Sequence, residues 1–222
     1  MQKINIGPLL TLAAVAALGG GIWLANLSQE TEPTAPATPV SQSTTTPTAA
    51  SPAPPPPSTP PPVAFPAEAN YVGNIPTATG IITLEVTIDG QKAIAYACDG
   101  NAVEVWLRGS ATNGALALTN KDQTSGLTGR LDGASIAGTL TIGARSWEFT
   151  AAPVEPPAGL YVYEDDAVRN SWIVDSGGAV TGVQRRADES TGPASTLTKD
   201  GTAVVEGVTV TATKVEGNDD VE

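Results

Sequence analysis

Turn dipeptides punctuate this chain after Tyr71 and leave little choice of fold. Asp89-Gly90, Asp99-Gly100, Asn113-Gly114, Asp132-Gly133 and Gly177-Gly178 recur, with Asp200-Gly201 and Glu206-Gly207 near the end. Asp-Gly and Asn-Gly supply the positive φ of two-residue hairpin turns. Between the turns, apolar residues alternate with others. Ile82, Leu84, Val86 and Ile88 share one face, with Thr83, Glu85 and Thr87 on the other. Val103, Val105 and Leu107 alternate with Glu104, Trp106 and Arg108. Ile94, Tyr96 and Cys98 alternate with Ala93, Ala95 and Ala97, and the larger set is expected on the inward face. A period of two with turns about every ten residues predicts antiparallel sheet buried on one face.

Short links between successive strands imply an up-and-down order. The fold class is therefore all-β: an antiparallel meander closing into a small barrel or a sandwich, since open edges invite aggregation. Leu127-Thr128-Gly129-Arg130-Leu131 and Ile136-Ala137-Gly138-Thr139-Leu140 flank Asp132-Gly133, each with glycine in mid-strand. Such glycines mark bends or places where an aromatic ring crosses the backbone, and they point to barrel curvature. Pro153, Pro156 and Pro157 interrupt the pattern. A second block follows, with strand-like runs at Gly159–Tyr163, Ser171–Val174 and Ala179–Val183 and a last hairpin around Val204–Ala212. It is too short and too polar to fold alone, so residues 67–216 are taken as one β domain.

What precedes the domain is of a different kind. Ile4 to Leu27 carries no charge. A helix of about 20 residues spans the roughly 30 Å hydrocarbon layer. Lys3 lies before the run, Glu30 and Glu32 after it. The positive-inside rule then places residues 1–5 in the cytoplasm, a signal-anchor helix at 6–27, and the rest outside. A cleaved signal peptide is the alternative, disfavoured by the long apolar run and by a poor cleavage site around Leu24-Ala25-Asn26. Thirteen of the nineteen prolines fall between Pro33 and Pro66. Residues 28–66 read as a disordered Pro/Thr/Ser/Ala stalk, and an extended polyproline II chain of that kind reaches on the order of 110 Å. Residues 217–222 read as an acidic disordered tail.

Composition closes off several functions. The net charge is −12 without a basic stripe, which disfavours nucleic acid. There is no His and only one Cys. Ser-His-Asp and Cys-His catalysis and His- or Cys-based zinc sites therefore fall away, and no cofactor or metal is expected. Glu164-Asp165-Asp166 lacks the spacing of a calcium loop and reads as a solvated turn. Asp99 and Glu104 would serve a glycosidase only if they converged in a cleft. Cys98 reads as buried, with an intermolecular disulfide as the alternative.

Trp106, flanked on its face by Glu104 and Arg108, is the candidate binding surface. An exposed indole beside charges stacks on sugars or anchors a partner, whereas the same ring becomes packing if the second block covers it.

Tyr71-Val72-Gly73, Tyr96-Ala97-Cys98-Asp99-Gly100, Trp106-Leu107-Arg108-Gly109, Gly159-Leu160-Tyr161 and Trp172-Ile173-Val174 together resemble actinobacterial membrane-anchored extracytoplasmic proteins with a span, a Pro-rich stalk and a β-rich domain. The resemblance implies an envelope location and no particular activity. The expected role is a non-catalytic binding or scaffold module of the cell envelope, anchored in the membrane. Its expected partner is a wall glycan, a small apolar ligand or a membrane protein. The alternatives are an accessory or sensor protein of an envelope signalling system, or a carboxylate-based hydrolase. Protease added to intact spheroplasts should remove the folded domain and leave the first residues protected; protection of the whole chain would overturn this topology.

Overall fold

The computed structural model describes residues 63–220. The expected cytoplasmic end, the expected signal-anchor helix, residues 28–62 of the expected stalk and residues 221–222 of the acidic tail lie outside the described residues. Among those described, no helix is long and apolar enough to cross a membrane.

Eight antiparallel strands follow one another around a closed barrel. They are β1 (Glu68–Thr77), β2 (Gly80–Asp89), β3 (Lys92–Cys98), β4 (Glu104–Thr112), β5 (Ala115–Thr119), β6 (Ser125–Asp132), β7 (Ser135–Ile142) and β8 (Arg145–Val154). Closure comes from β8 returning to β1, with Asn70 opposite Val154 and Val72 opposite Ala152. Asn113 and Gly114 form the β4–β5 turn with φ of 52° and 70°, the double positive φ that Asn-Gly favours. In mid-strand, Gly138 faces Gly129. A Cβ on Gly138 would lie 2.1 Å from the Thr128 carbonyl oxygen, so only glycine lets these strands coil this closely.

Leu84, Val86, Ile88, Leu107, Leu127, Ile136 and Leu140 fill the barrel interior. An eight-strand barrel is just wide enough for side chains to fill it. At the end where the chain enters, Phe65 packs on this core, edge-on to Tyr71 with ring centroids 6.3 Å apart.

The second block forms its own sheet, in the order β12-β11-β10-β9-β15. These strands are β9 (Gly159–Glu164), β10 (Val168–Val174), β11 (Val180–Arg186), β12 (Thr191–Pro193) and β15 (Thr213–Lys214), and β13 (Thr202–Val205) pairs with β14 (Val208–Thr211) as a hairpin. One face of the sheet packs on the barrel wall, the other on the hairpin. In β10, Ile173 joins the barrel-side core, while Val168, Trp172 and Val174 join the hairpin-side core. Trp172 lies opposite Gly182, where a Cβ would sit 2.6 Å from the indole Cδ1. Its Nε1 donates to the Ser195 carbonyl at 2.7 Å.

This second layer corrects two expectations. Along β2 and β3 both faces of the wall are buried, including Thr83, Glu85 and Thr87, which alternation alone assigns to solvent. In β3 the assignment of faces is reversed. Ala93, Ala95 and Ala97 line the barrel interior, and Ile94, Tyr96 and Cys98 point outward into the core beneath the second sheet. The crowded interior takes the small side chains, and the covered outer face has room for the large ones. Ile94→Ala should therefore cost as much as Leu107→Ala, about 2–5 kcal/mol each, although the two side chains point to opposite sides of the wall. Thr128→Ala on the bare outer face of β6 should stay within about 0.5 kcal/mol. Chemical denaturation of the three variants measures the difference.

Candidate functional site

Register places the outward side chains of β1–β4 in cross-strand rows. Val72, Glu85, Tyr96 and Trp106 form one row. Asn74, Thr83, Cys98 and Glu104 form the next, and Asn70, Thr87, Ile94 and Arg108 flank the first on its other side. The three sequence-derived candidates, Glu104, Trp106 and Arg108, thus stand at the β4 ends of three adjacent rows. Their surroundings differ sharply.

Glu104 is inside. Its side chain is 1% exposed. Arg185 Nε donates to its Oε2 at 2.9 Å, and its Oε1 accepts from Trp106 Nε1 at 3.2 Å, Ser171 Oγ at 3.3 Å and Arg169 at 3.5 Å. A buried carboxylate without partners would cost several kcal/mol; two guanidinium groups and two further donors offset that cost.

Trp106 is half-buried. Its ring centroid is 4.6 Å from that of Tyr96, and the Arg169 guanidinium carbon lies 5.5 Å from the indole centroid. The indole belongs to the margin of the second core and also borders open space. Arg108 is far more accessible than Glu104, with 34% of its side chain exposed. Its Nη1 donates to Asp220 Oδ1 at 2.7 Å and its Nη2 to the Asp219 carbonyl. Residues 217–220 of the acidic end therefore lie against the barrel, with Gly217 packed on the backbone of Ile88 and Asp89.

Beside Trp106 and Arg108 runs an open groove of about 660 Å³, completed by Thr119, Asn120, Lys121, Asp122 and Gln123. The β5–β6 loop is internally fixed. Asn120 Oδ1 accepts from Ser125 N at 2.8 Å, and Asp122 Oδ1 accepts from Thr124 N at 3.0 Å. The lining is rich in amide, hydroxyl and charged groups around one aromatic edge, a chemistry suited to a hydroxylated ligand.

The other acidic candidates are engaged elsewhere. Asp99 Oδ1 accepts from the N–H groups of Asn101, Ala102 and Val103 at 2.9, 2.8 and 2.9 Å. Burial pushes its carboxyl up, but these donors outweigh burial and hold it below the usual range. Asp165 in the Glu164–Asp166 run accepts from Ala167 N and Val168 N, both at 2.9 Å. Among the described residues no cluster of acids and cysteine is arranged to hold a metal ion. Cys98 is fully buried, and burial pushes its thiol up to about 12. That removes the thiolate that disulfide exchange requires.

Sequence reasoning missed Glu85. It is fully buried between the barrel and the second sheet. Thr87 Oγ1 donates to its Oε1 at 2.7 Å. The Asn70 amide is oriented so that its nitrogen donates to the same oxygen at 3.2 Å, while its oxygen accepts from Lys214 Nζ at 3.2 Å. Oε2 has no partner. Burial raises the Glu85 carboxyl to about 8; Thr87 and Lys214 oppose the shift and Glu216 adds to it. Its place in an alternating strand carries no signal of this, because the covering layer lies some 75–130 residues further along.

Comparison with protein-family models, with curated proteins and with solved structures gives no match.

Because the folded state holds the Glu85 proton up to about pH 8 and the unfolded chain releases it in the ordinary glutamate range, stability should fall as pH rises between those limits. Denaturation midpoints across that window should decline for the native chain and flatten for Glu85→Gln. A native profile that rises with pH would refute the assignment.

Proposed function

We propose that this chain is a non-catalytic binding module of the cell envelope. It is a single-pass membrane protein whose domain is displayed outside the cell on a proline-rich stalk. Its ligand surface is the groove beside Trp106 and Arg108, and its partner is a cell-wall glycan. The observation that carries this reading is the groove itself: about 660 Å³, bordered by an indole edge and lined by amides, hydroxyls and charges.

Two arrangements support it. The β5–β6 loop that walls the groove lies at the end of the barrel opposite to where the chain enters, so the groove faces away from the tether. The barrel interior is filled with packed side chains, which favours a surface ligand over one enclosed in the barrel. The non-catalytic reading rests on the engagement of Asp99 with its own loop and of Glu104 with two arginines.

Titration with soluble peptidoglycan fragments, followed by NMR, tests the proposal. Shifts are expected at the Trp106 indole and at the amides of Asn120 to Gln123. Lys121→Ala should weaken binding, and Asn120→Ala should do so while also loosening the loop that its side chain fixes. Binding that perturbs none of these residues would discard the groove as the glycan site.

A further inference from the structure

The two ends of the barrel are finished differently. At the entry end Phe65 lies on the core against Tyr71, and the Val63 carbonyl lies over Gly114. At the far end no side chain among the described residues plays the part of Phe65. The last interior layer there is Ile82, Ile142 and Trp147, and the last two are only partly buried. Around them the β1–β2 turn, the Asp99–Val103 loop and the β7–β8 turn enclose a cup of about 320 Å³. Ile81 forms part of its wall with 57% of its surface exposed, one of the few large apolar residues so open among the described residues.

The volume falls at the lower end of small-molecule sites, and the lining joins an apolar wall of Ile81, Ile82, Val103, Ile142, Ala144 and Trp147 to the threonines Thr77 and Thr79. Two charged side chains line it, Arg145 and Asp99. Asp99 turns one carboxylate oxygen into its own loop, where three N–H groups hold it. Arg145 is exposed and makes no ion pair among the described residues. The cup therefore offers an apolar floor with one uncommitted cation beside it.

We propose that this cup is a second binding site, for a small amphiphile whose carboxylate meets Arg145 and whose aliphatic or ring portion lies on Trp147, Ile142 and Ile82. It is independent of the Trp106 groove, sharing no lining residue with it. The Trp147 ring supplies contact area at little entropic cost, because it is already packed on the core. The guanidinium selects the headgroup, because its fork of donors matches a carboxylate.

Hexanoate, hexanol and hexylamine are the probes, titrated into the full chain in lipid nanodiscs and into empty nanodiscs as the blank. Tryptophan fluorescence is followed, with Trp147→Phe identifying the responding ring. Hexanoate should saturate with a dissociation constant on the order of 1 mM, as its size allows. Hexanol should bind about tenfold more weakly, and hexylamine more weakly still, because each lacks the charged hydrogen bond. Arg145→Met should remove the preference for hexanoate over hexanol without abolishing either response. Ile81→Asp, at an exposed position, should weaken both. No saturable response above the blank would overturn the proposal. So would a response unchanged in Ile81→Asp and Arg145→Met, or tighter binding of hexylamine. Glycan binding at Trp106 is read by other residues, so either site can fail alone.

Discussion

The Glu104 carboxylate joins the two layers of this domain. It belongs to the barrel, yet Arg169, Ser171 and Arg185, which surround it, all come from the second sheet. With the sheet removed, Glu104 would stand in water beside an uncovered Tyr96. With the sheet in place, the arginines are held over the carboxylate, and the apolar residues on either side are sealed together. A hydrophobic contact alone would tolerate sliding of one sheet over another. A charge with fixed partners does not, because a displaced guanidinium would leave a buried anion behind. The ion pairs set the register of the layers, and burial of Ile94, Tyr96, Leu160, Ile173 and Val183 supplies most of the adhesion.

The same covering layer explains the chemistry of the outer wall. Glu85 and Glu104 lie two strands apart, on β2 and β4, under one sheet, but they meet different neighbours. Glu104 receives two cations directly. Glu85 receives a hydroxyl and an amide, with Lys214 reaching it only through Asn70. One carboxylate is therefore neutralised by pairing and the other by keeping its proton. Two acids that look alike in an alternating strand serve as a fixed ionic clamp and a proton-dependent contact.

How much of this was legible in the sequence follows from the range of the interactions. Hairpin turns are local, so Asn113-Gly114 and Asp132-Gly133 announced the meander, and Gly129 and Gly138 its curvature. The Val103–Leu107 alternation named the interior residues of β4 correctly. What failed was the other face. Alternation assigns Thr83, Glu85 and Thr87 to water, because nothing within the strand shows that β9, β10 and β11 will cover them. The alternation in Ala93–Cys98 was visible, but its direction was not, since both faces end up buried. The Trp106 neighbourhood was legible as residue types and illegible as geometry. Its carboxylate partner turned inward, and its arginine was met by the acidic end of the chain.

The long β1–β2 ladder has a mechanical meaning. Ten residues of each strand pair continuously, from Glu68 opposite Asp89 to Thr77 opposite Gly80. In the proposed reading a tether joins the domain just before Glu68, at the barrel end where Phe65 packs on the core. A pull transmitted between that tether and anything held at the opposite end runs along β1. The hydrogen bonds of the ladder are then loaded in shear, all at once, and not peeled open one by one from a free edge. The strand by which a tethered domain would hang is also the one with the longest paired length in the barrel, so such a point of suspension would resist being drawn out.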